Sequence, residues 1–253
     1  MGMKPLVTVL IPNYNEIENV KRGVLGNIIS YLKKQNYSFE VLISDDGSTD
    51  TSVLAIKEFV DKHPEVKIIY NQHAGKPYAL RSGIKEAKGT YVLLTDMDQS
   101  TPIAELAKLL PWTDKGFDVV IGSRGVKRAD TTPIRQLASI IFLLIRRMIL
   151  LPEIHDTQCG FKLIETKLAN KIFSHMRLFG RANNAIGWKV TAYDVELLHV
   201  AKKLGAIIKE VRVVWKNEDT TMGKSRNFVK ESIEMLFEIM RVRANDMLGK
   251  YNL

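Results

Sequence analysis

Two aspartates follow an apolar run in this 253-residue chain, and their spacing is that of a metal-binding pair. The run is Tyr91–Thr95, and Asp96-Met97-Asp98 comes directly after it. Residues i and i+2 of an extended chain point the same way, roughly 7 Å apart, so one divalent cation or its water shell can contact both carboxylates. Acidic residues at strand ends also occur in solvated turns, so the pair alone leaves both interpretations open.

The elements around this pair alternate between strands and helices. Runs of Val, Ile and Leu predict strands at 7–12, 39–44, 66–70, 90–95 and 118–122, and amphipathic stretches predict helices at 16–29, 50–62, 77–87 and 102–110. Asp50 suits a helix N-cap and Pro102 a first helical residue. This order predicts an α/β fold with a mostly parallel central sheet and helices on both faces.

Polar side chains collect just past the carboxyl ends of the predicted strands. Ligands of parallel α/β sheets bind at that edge. The residues concerned are Tyr14, Glu16, Asp45, Asp46, Asp96, Asp98, Ser123 and Arg124. We therefore predict a ligand site formed by the loops that follow the strands.

The second half of the chain has long apolar and basic stretches. Residues 133–151 predict a helix whose apolar core is about half of the roughly 20 residues that span a bilayer. It either lies in a membrane interface, which we favour, or packs against another helix. A strand is predicted at 211–215 and an amphipathic helix at 228–248. We expect one domain over 1–217, followed by a basic loop and a helix over 218–253.

The net charge of +9 predicts an anionic partner. Basic residues are dense at 124–147 and 224–250, where they are mixed with long apolar side chains. This mixture suits a membrane surface better than a nucleic-acid groove, although a solvated basic face is the alternative, and nucleic acid is not an expected partner. The single cysteine excludes a disulfide framework, and no signal-peptide pattern precedes the first strand, which favours a cytoplasmic location.

Several common motifs are missing. The turn at 12–16 lacks the glycines of a dinucleotide site, and no G-x-S-x-G nucleophile turn occurs. Gly223-Lys224-Ser225 resembles the end of a phosphate-binding loop, but residue 218 is Glu where that loop requires Gly. The five histidines have no metal-ligand spacing.

Taken in order, the polar motifs resemble the family 2 glycosyltransferases of the GT-A fold. The motifs are Pro12-Asn-Tyr-Asn-Glu16, Asp45-Asp-Gly-Ser-Thr-Asp50, Gly75-Lys76 with Ala79, Arg81 and Gly83, Asp96-x-Asp98, and Gly122-Ser-Arg124. A later set resembles one branch, the polyprenyl (dolichyl) phosphate glucosyl- and mannosyltransferases. That set is Asp156-Thr-Gln-Cys-Gly-Phe-Lys162, Gly187-Trp188 and Asp194-Val-Glu-Leu-Leu198. The resemblance covers roughly residues 5–215.

The resemblance implies a nucleotide-diphospho-sugar transferase fold and hexosyltransferase activity. The hexose would pass with inversion from a nucleotide sugar to a polyprenyl phosphate, with Mg²⁺ or Mn²⁺ as cofactor. UDP-glucose is favoured as the donor, and GDP-mannose stays open as the alternative. Many relatives add membrane-spanning helices that are not predicted here. The protein is therefore expected to be peripheral at the cytoplasmic face of a membrane, or to be held there by an anchoring subunit.

The resemblance also implies roles for individual residues. Four are expected at the nucleobase and ribose, with Asp45 on the base: Pro12, Tyr14, Glu16 and Asp45. Asp96 is expected beside the ribose and the metal, and Asp98 as the direct metal ligand. Arg124 and Arg135 are expected on phosphates, Arg135 on the acceptor side, whereas Lys76 and Arg81 either contact phosphate or stay solvated.

The sequence departs from the family pattern in two places, and two other functions are kept as alternatives. Gln99 directly follows Asp98, where many relatives have a Gln two residues later, and residues 222–226 match only loosely the basic loop that closes over the diphosphate. A family 2 enzyme acting on a hydroxyl acceptor would need a general base, for which Asp156 and Asp194 are candidates. A binding module without catalysis is the other alternative.

Overall fold

The computed structural model describes residues 4–125, 151–177, 193–216, 218 and 228–251. Within them, seven strands form one sheet in the order β3-β2-β1-β4-β6-β5-β7. Only β6 runs antiparallel to its neighbours, so the prediction of a mostly parallel α/β sheet is confirmed. The strands are β1 (Val7–Asn13), β2 (Phe39–Asp45), β3 (Val66–Tyr70), β4 (Tyr91–Leu94), β5 (Val119–Ser123), β6 (Lys162–Glu165) and β7 (Ile208–Arg212).

Helices connect and cover these strands. The α-helices are α1 (Ile17–Lys21), α2 (Val24–Leu32), α3 (Ser52–Val60), α4 (Lys76–Glu86), α5 (Leu106–Leu109), α6 (Thr166–His175), α7 (Tyr193–Lys203) and α8 (Phe228–Met247). Short 3₁₀ turns, Ile103–Glu105 and Leu110–Lys115, flank α5.

The sheet is buried on both faces. Successive side chains of a strand point to opposite faces, and in β1 Val9 and Ile11 pack into one core while Leu10 packs into another. The first core contains residues of α2, α3 and α5, and the second contains residues of α4, α6, α7 and α8. Helices therefore cover both faces, as the sequence predicted.

Three predicted boundaries were wrong for local reasons. The helix predicted at 16–29 is divided into α1 and α2 because Gly23 adopts a left-handed conformation with φ of 76°. Pro102 is extended, with ψ of 143°, and precedes the 3₁₀ turn instead of opening an α-helix. The late strand lies at Ile208–Arg212, three residues earlier than predicted, because these residues pair with β5.

Strand β6 was not predicted from the sequence. It has four residues, and Lys162 begins it in the centre of the sheet. The Lys162 ammonium is buried beside the Asp194 carboxylate and donates to the Cys159 carbonyl oxygen. A lysine is normally exposed, so the pattern of apolar residues does not indicate a buried strand that begins with Lys162. The charge of Lys162 is neutralised by Asp194, 32 positions later, which local sequence does not reveal.

Some predictions concern residues outside the described ranges. These are Arg135, residues 133–150 of the predicted apolar helix, Gly187-Trp188 and residues 222–226. In the part of the chain that the structure describes, no helix combines the length and the hydropathy that crossing a membrane requires.

Close packing between α4 and β1 gives a test of the fold. A Cβ added at Gly83 would come within 2.9 Å of Leu10 Cδ2 and closer still to Cδ1. We expect Gly83→Ala to destabilise the protein by about 1–2 kcal/mol, because overpacking outweighs the gain in helix propensity. Urea denaturation measures this change as a lower midpoint.

Gly26→Ala is the matched control. Gly26 lies inside α2, and a Cβ there meets nothing within 4 Å. This substitution should stabilise the protein by about 0.5–1 kcal/mol, because alanine loses less backbone entropy on folding. The same direction of change in both variants would contradict the packing described here.

Candidate active site

The loops that follow β1 and β2 are joined by hydrogen bonds into one wall at the carboxyl edge of the sheet. Asn13 Nδ2 donates to Asp45 Oδ1 at 2.7 Å, while the backbone N–H groups of Gly47 and Ser48 donate to Asp45 Oδ2. Asn15 accepts a 2.8 Å hydrogen bond from the backbone of Thr49. Asp45 is buried and holds its own loop closed, and its expected contact with a base stays a prediction.

The same wall contains the other residues expected around a nucleotide. Pro12 is half-buried in β1 opposite Ser44, and Glu16 stands at the N-cap of α1, where its carboxylate accepts a hydrogen bond from Asn19 Nδ2. Asp50 Oδ1 accepts a hydrogen bond from the backbone of Ser52 at 2.9 Å. That contact is the turn-forming role preferred for Asp50 from the sequence, but the N-cap of α3 is Thr51, so the predicted N-cap was one residue too early.

An aromatic shelf lies beside this wall. The rings of Tyr14 and His73 stack with centroids 4.2 Å apart and planes 15° from parallel. His73 Nδ1 lies 2.8 Å from Asp46 Oδ2, and the Asp46 carboxylate also accepts hydrogen bonds from the backbone N–H groups of Ala74 and Gly75. Sequence reasoning missed His73, because a lone histidine in a loop has no motif that marks it.

Lys76 and Asp96 form an ion pair at the centre of the edge. Gly75 is the N-cap of α4 and has φ of 103°, and the turn held by Asp46 directs Lys76 towards Asp96. Their charged atoms are 2.5 Å apart. Burial lowers the pKa of Lys76, but the Asp96 carboxylate outweighs it, and the net pKa is raised well above the usual value. Lys76 is therefore a fixed cation, placed where an anion can reach it.

The loop before β6 supports the other side of Asp96. A Cβ built on Gly160 would come within 3.0 Å of Asp96 Cγ and closer still to Oδ2. Asp96 is thus held between Lys76 and the backbone of a residue 64 positions later. Sequence reasoning included Gly160 in a family motif without a role, and the close approach explains why a glycine fits there.

Gly160→Ala tests that support. The added methyl group should displace the Asp96 carboxylate. The kcat of the hexosyl transfer expected from the sequence should then fall by about 10–100-fold, since small misplacements in a catalytic site lower rates by this much. Steady-state kinetics measures the effect, with Gly26→Ala as the control. Unchanged kcat in a folded Gly160→Ala enzyme would contradict a required position for Asp96.

Asp98 lies half-buried in the turn after β4. Its Oδ1 accepts a hydrogen bond from the Ser100 backbone at 2.8 Å, and its Oδ2 accepts one from the Ser100 hydroxyl at 2.9 Å. Burial raises the pKa of Asp98, and the nearby Asp96 carboxylate raises it further. A cation beside Asp98 would offset the repulsion that the Asp96 carboxylate exerts on it.

Gln99 shapes the turn in which Asp98 lies. It adopts φ of 52°, and its Nε2 donates to the Asp96 carbonyl oxygen at 2.8 Å and to Thr95 Oγ1 at 3.1 Å. The unusual glutamine beside the acidic pair thus has a structural role in this turn.

The donor set of Asp96 and Asp98 fits Mg²⁺ or Mn²⁺. Both cations favour carboxylate oxygens, and Mg²⁺ is commonly held by one or two carboxylates, with substrate phosphates and water completing the shell. Each Asp98 oxygen accepts one hydrogen bond from Ser100 and keeps a lone pair free. No cluster of three metal-ligating His, Cys, Asp or Glu side chains occurs among the described residues. A bound diphosphate would supply the remaining oxygens.

Arg124 and Asp156 form a bidentate pair at the end of β5. Arg124 Nε and Nη2 donate to the two Asp156 oxygens at 2.8 Å each, and the guanidinium lies 5.7 Å from the Trp215 ring. Burial raises the pKa of Asp156, but the hydrogen bonds from Arg124 dominate and lower it to about 2. The expected contact of Arg124 with phosphate stays a prediction, and the structure shows its guanidinium bound to the Asp156 carboxylate.

Asp194 has a comparable partner in the interior. Its Oδ1 lies 2.5 Å from Lys162 Nζ, and the lysine side chain is 1% exposed. Tyr193, the preceding residue, places its ring 5.9 Å from Lys76 Nζ. The Lys162–Asp194 pair is therefore close enough to the Lys76–Asp96 pair for the Asp194 carboxylate to help raise the pKa of Lys76.

The segment after β7 contacts the turn that holds Asp98. The Lys216 backbone donates to the Ser100 carbonyl oxygen at 2.8 Å. Arg22 donates to the Glu218 carbonyl oxygen at 2.9 Å and pairs with its carboxylate at 3.1 Å. The C-terminal segment thus lies against the turn that holds Asp98.

Solved glycosyltransferases have this fold. Glucosyl-3-phosphoglycerate synthase from Mycobacterium tuberculosis, in complex with UDP, superimposes with a TM-score of 0.63 at 17% identity, over 95% of this chain and 80% of that one. The mannosyltransferase PcManGT from Pyrobaculum calidifontis, in complex with GDP-Man and Mn²⁺, gives a TM-score of 0.56 at 19% identity, over 98% of this chain and 63% of that one. The predicted GT-A fold is confirmed.

The sequence comparisons define the family. Residues 8–173 match the profile of Glycosyl transferase family 2. The chain is 29% identical to the dolichyl-phosphate beta-glucosyltransferase of Dictyostelium discoideum, over 96% of this chain and 75% of that one. It is 30% identical to the Homo sapiens enzyme of the same name, over 83% of this chain and 67% of that one. The chain belongs to glycosyl transferase family 2, and the prediction of a glycosyltransferase is confirmed.

Proposed function

We propose that this protein transfers glucose from UDP-glucose to a polyprenyl phosphate of the dolichyl type, with inversion at the anomeric carbon and with Mg²⁺ or Mn²⁺ as cofactor. One observation carries the proposal. The carboxyl edge presents an acidic pair and a fixed cation, while Arg124 and Lys162 neutralise the two carboxylates best suited to act as a general base. Such a site suits an acceptor that is already an anion.

The donor side is supported by the wall that follows β1 and β2. The Tyr14–His73 shelf offers aromatic surface for a base, and the Asp46 carboxylate beside it accepts hydrogen bonds. Lys76 provides positive charge where the diphosphate would meet the acidic pair. The name of these relatives, dolichyl-phosphate beta-glucosyltransferase, supports glucose rather than mannose as the transferred sugar, so our proposal takes UDP-glucose as the donor.

The cofactor would be held by Asp98, with Asp96 beside it. Asp96 already contacts Lys76, so Asp98 is the better direct ligand. When bound, the divalent cation would neutralise negative charge that builds on the departing nucleoside diphosphate. In our proposal the Lys76 ammonium, which lies beside Asp96, also stabilises the negative charge on the departing nucleoside diphosphate.

The acceptor chemistry needs no base. A phosphate monoester has a second pKa near 6, so at neutral pH its oxygen is largely deprotonated. That oxygen attacks the anomeric carbon, and the bond between this carbon and the diphosphate oxygen breaks with its electron pair leaving on UDP. Arg124 already donates from Nε and Nη2 to Asp156, so in our proposal it would orient a phosphate oxygen through its remaining Nη hydrogens. Arg135, expected on the acceptor side, lies outside the described residues.

A hydroxyl acceptor is the less favoured alternative. It would require Asp156 or Asp194 to remove a proton, but the pKa of Asp156 is lowered to about 2 and Asp194 is paired with a buried lysine. A base with so low a pKa is inefficient at neutral pH. Asp156→Asn abolishing transfer to a sugar hydroxyl, while leaving the enzyme folded, would support this alternative.

Radiolabelled transfer tests the proposed function. Purified protein would be incubated with UDP-glucose or GDP-mannose, with dolichyl phosphate, and with Mn²⁺, Mg²⁺ or EDTA. We expect a lipid-linked glucose product that requires UDP-glucose and a divalent cation. Failure to label any polyprenyl phosphate from either donor would overturn the proposal. A donor that raises the melting temperature without any turnover would indicate a binding module.

The protein would work at a membrane surface, because its proposed acceptor is a membrane lipid. A peripheral position at the cytoplasmic face, with or without an anchoring subunit, accords with the absence of a membrane-crossing helix among the described residues.

A further inference from the structure

A buried lysine lies in the centre of the sheet, close to the acidic pair. Lys162 begins β6, where it pairs with Leu94 at the end of β4 and with Ile121 of β5. Its side chain is 1% exposed. Replacing a buried ion pair with apolar side chains of similar volume is often neutral or stabilising, so stability alone does not require a lysine at this place. Its contacts indicate what else it does.

The ammonium of Lys162 joins two parts of the chain that are far apart in sequence. It lies 2.5 Å from Asp194 Oδ1, in the first turn of α7, and donates a hydrogen bond to the carbonyl oxygen of Cys159, in the loop before β6. That carbonyl group belongs to the planar peptide between Cys159 and Gly160. Because Cys159 is buried and the Asp194 side chain is only 11% exposed, water competes little for either contact. The lysine therefore fixes this peptide relative to α7.

The fixed peptide lies against Asp96. A Cβ built on Gly160 would come within 3.0 Å of Asp96 Cγ, so the backbone of Gly160 packs directly beside this carboxylate. In a planar peptide the Cys159 carbonyl and the Gly160 α-carbon move together. A shift of the carbonyl oxygen would therefore reach the Asp96 carboxylate through a single residue.

We propose that Lys162 is a positioning residue for the metal site: by holding the peptide between Cys159 and Gly160, its ammonium fixes the Asp96 carboxylate beside Asp98. The inference rests on the proposed function, which assigns a divalent cation to this acidic pair. Lys162 is too deeply buried to contact the cation or the substrates, so it acts through the backbone. Replacing a residue that orients a metal ligand typically lowers metal affinity or activity by about 10–100-fold.

A purely electrostatic role can be separated from this one. Lys162 and Asp194 carry opposite charges, so replacing both with neutral residues leaves the net charge of the protein unchanged. It also avoids an unpaired buried charge, which would destabilise the fold. What such a double substitution removes is the hydrogen bond to the Cys159 carbonyl oxygen.

Binding of Mn²⁺ in the presence of saturating UDP tests the proposal. Electron paramagnetic resonance measures free Mn²⁺ and so gives the dissociation constant without any turnover. The test variant carries Lys162→Met and Asp194→Asn. We expect its dissociation constant for Mn²⁺ to rise by about 10–100-fold. Its melting temperature should stay close to that of the wild type, because no buried charge is left unpaired. Wild-type affinity for Mn²⁺ in the folded test variant would overturn the proposal.

The matched control carries the same two changes at the other end of α7, Lys203→Met and Asp246→Asn. Lys203 Nζ lies 2.7 Å from Asp246 Oδ1, and the Asp246 side chain is 9% exposed. Lys203 is the last residue of α7, so it lies about 13 Å along the helix axis from Asp194. The affinity of this variant for Mn²⁺ should stay within about twofold of the wild type. An equal loss in the control and test variants would show a general effect of removing an ion pair, and would refute a specific role for Lys162.

Coupling to Gly160→Ala tests the route through the backbone. In the wild-type background this substitution should weaken Mn²⁺ binding, because the added methyl group meets Asp96. In the test variant it should add at most about threefold, since residues that act through one shared element are not additive. Fully additive losses would mean that Lys162 does not act through Gly160.

Asp194→Asn alone is a second variant, which serves if the test variant does not fold. Asparagine keeps an oxygen that can accept a hydrogen bond from Lys162, so the ammonium should stay on the Cys159 carbonyl oxygen. The affinity for Mn²⁺ should then remain within about threefold of the wild type. A tenfold loss in the folded protein would assign the effect to the charge of Asp194, contrary to the proposal.

The kcat for glucosyl transfer separates this inference from the proposed function. The test variant should lose kcat in the same range as its affinity for Mn²⁺, and the control variant should not. A wild-type protein that binds Mn²⁺ with UDP but transfers no glucose would count against the proposed function alone. The affinities of the variants for Mn²⁺ would still decide whether Lys162 positions the site.

Discussion

Replacing Asp98 with asparagine should lower glucosyl transfer by at least about 10³-fold, which corresponds to about 4 kcal/mol of lost transition-state stabilisation. The asparagine Oδ1 can still accept the hydrogen bond from the Ser100 backbone, and its Nδ2 can donate to the Ser100 hydroxyl oxygen, so the turn should persist. What it loses is the negative charge that would hold the divalent cation. The measurement is kcat with saturating donor, over a range of Mn²⁺ concentrations.

Asp61→Asn is the control for this substitution. Asp61 is exposed at the C-cap of α3, and the same chemical change there should leave kcat within a factor of two. Treatment of the wild type with EDTA should reproduce most of the loss seen in Asp98→Asn. A variant that retains a tenth of the activity, with an unchanged response to Mn²⁺, would exclude Asp98 as the metal ligand.

Replacing Asp156 with alanine should destabilise the fold by about 3–5 kcal/mol, because it leaves the Arg124 guanidinium unpaired in a buried position. The two side chains are only 15% and 14% exposed, and they share two hydrogen bonds of 2.8 Å. Asp156 also accepts a hydrogen bond from the Gln158 backbone, which would be lost with it. Urea denaturation at pH 7 measures the change.

Glu153→Ala is the matched control in the same segment. Glu153 pairs with Lys202 at 2.8 Å but is 76% exposed. Exposed pairs contribute little, so this variant should differ from the wild type by less than about 1 kcal/mol. Similar losses in the two variants would contradict the buried character of the Arg124–Asp156 pair.

The contribution of Asp156 to the free energy of unfolding should decrease as the pH falls. Its pKa is lowered to about 2 in the folded protein, whereas an unfolded aspartate titrates near 3.9. The stabilisation is therefore complete above roughly pH 4 and is lost as the pH falls towards 2. The difference in unfolding free energy between wild type and Asp156→Ala should shrink over that interval.

The local sequence was sufficient to predict most strands and helices in the first half of the chain. Buried parallel strands are continuous apolar runs, so the predicted strands β1 to β4 agree with the observed ones within one or two residues at each end. The two helix errors there have local causes, Gly23 and Pro102. Because carboxyl ends of parallel strands meet at one edge, Asp96, Asp98 and Arg124 were also placed on the same side of the sheet.

The sequence alone thus determined the fold class, the family and the acidic pair after β4, because each depends on residues close together in the chain. The tertiary structure decided which side chains contact one another in the site. Lys76 reaches Asp96, Gly160 supports it from 64 positions later, and Arg124 binds Asp156 across 32 positions. The contacts of Gly160 and Asp156 depend on how the segment before β6 packs against the sheet. The periodicity of apolar residues within a single segment does not predict this packing.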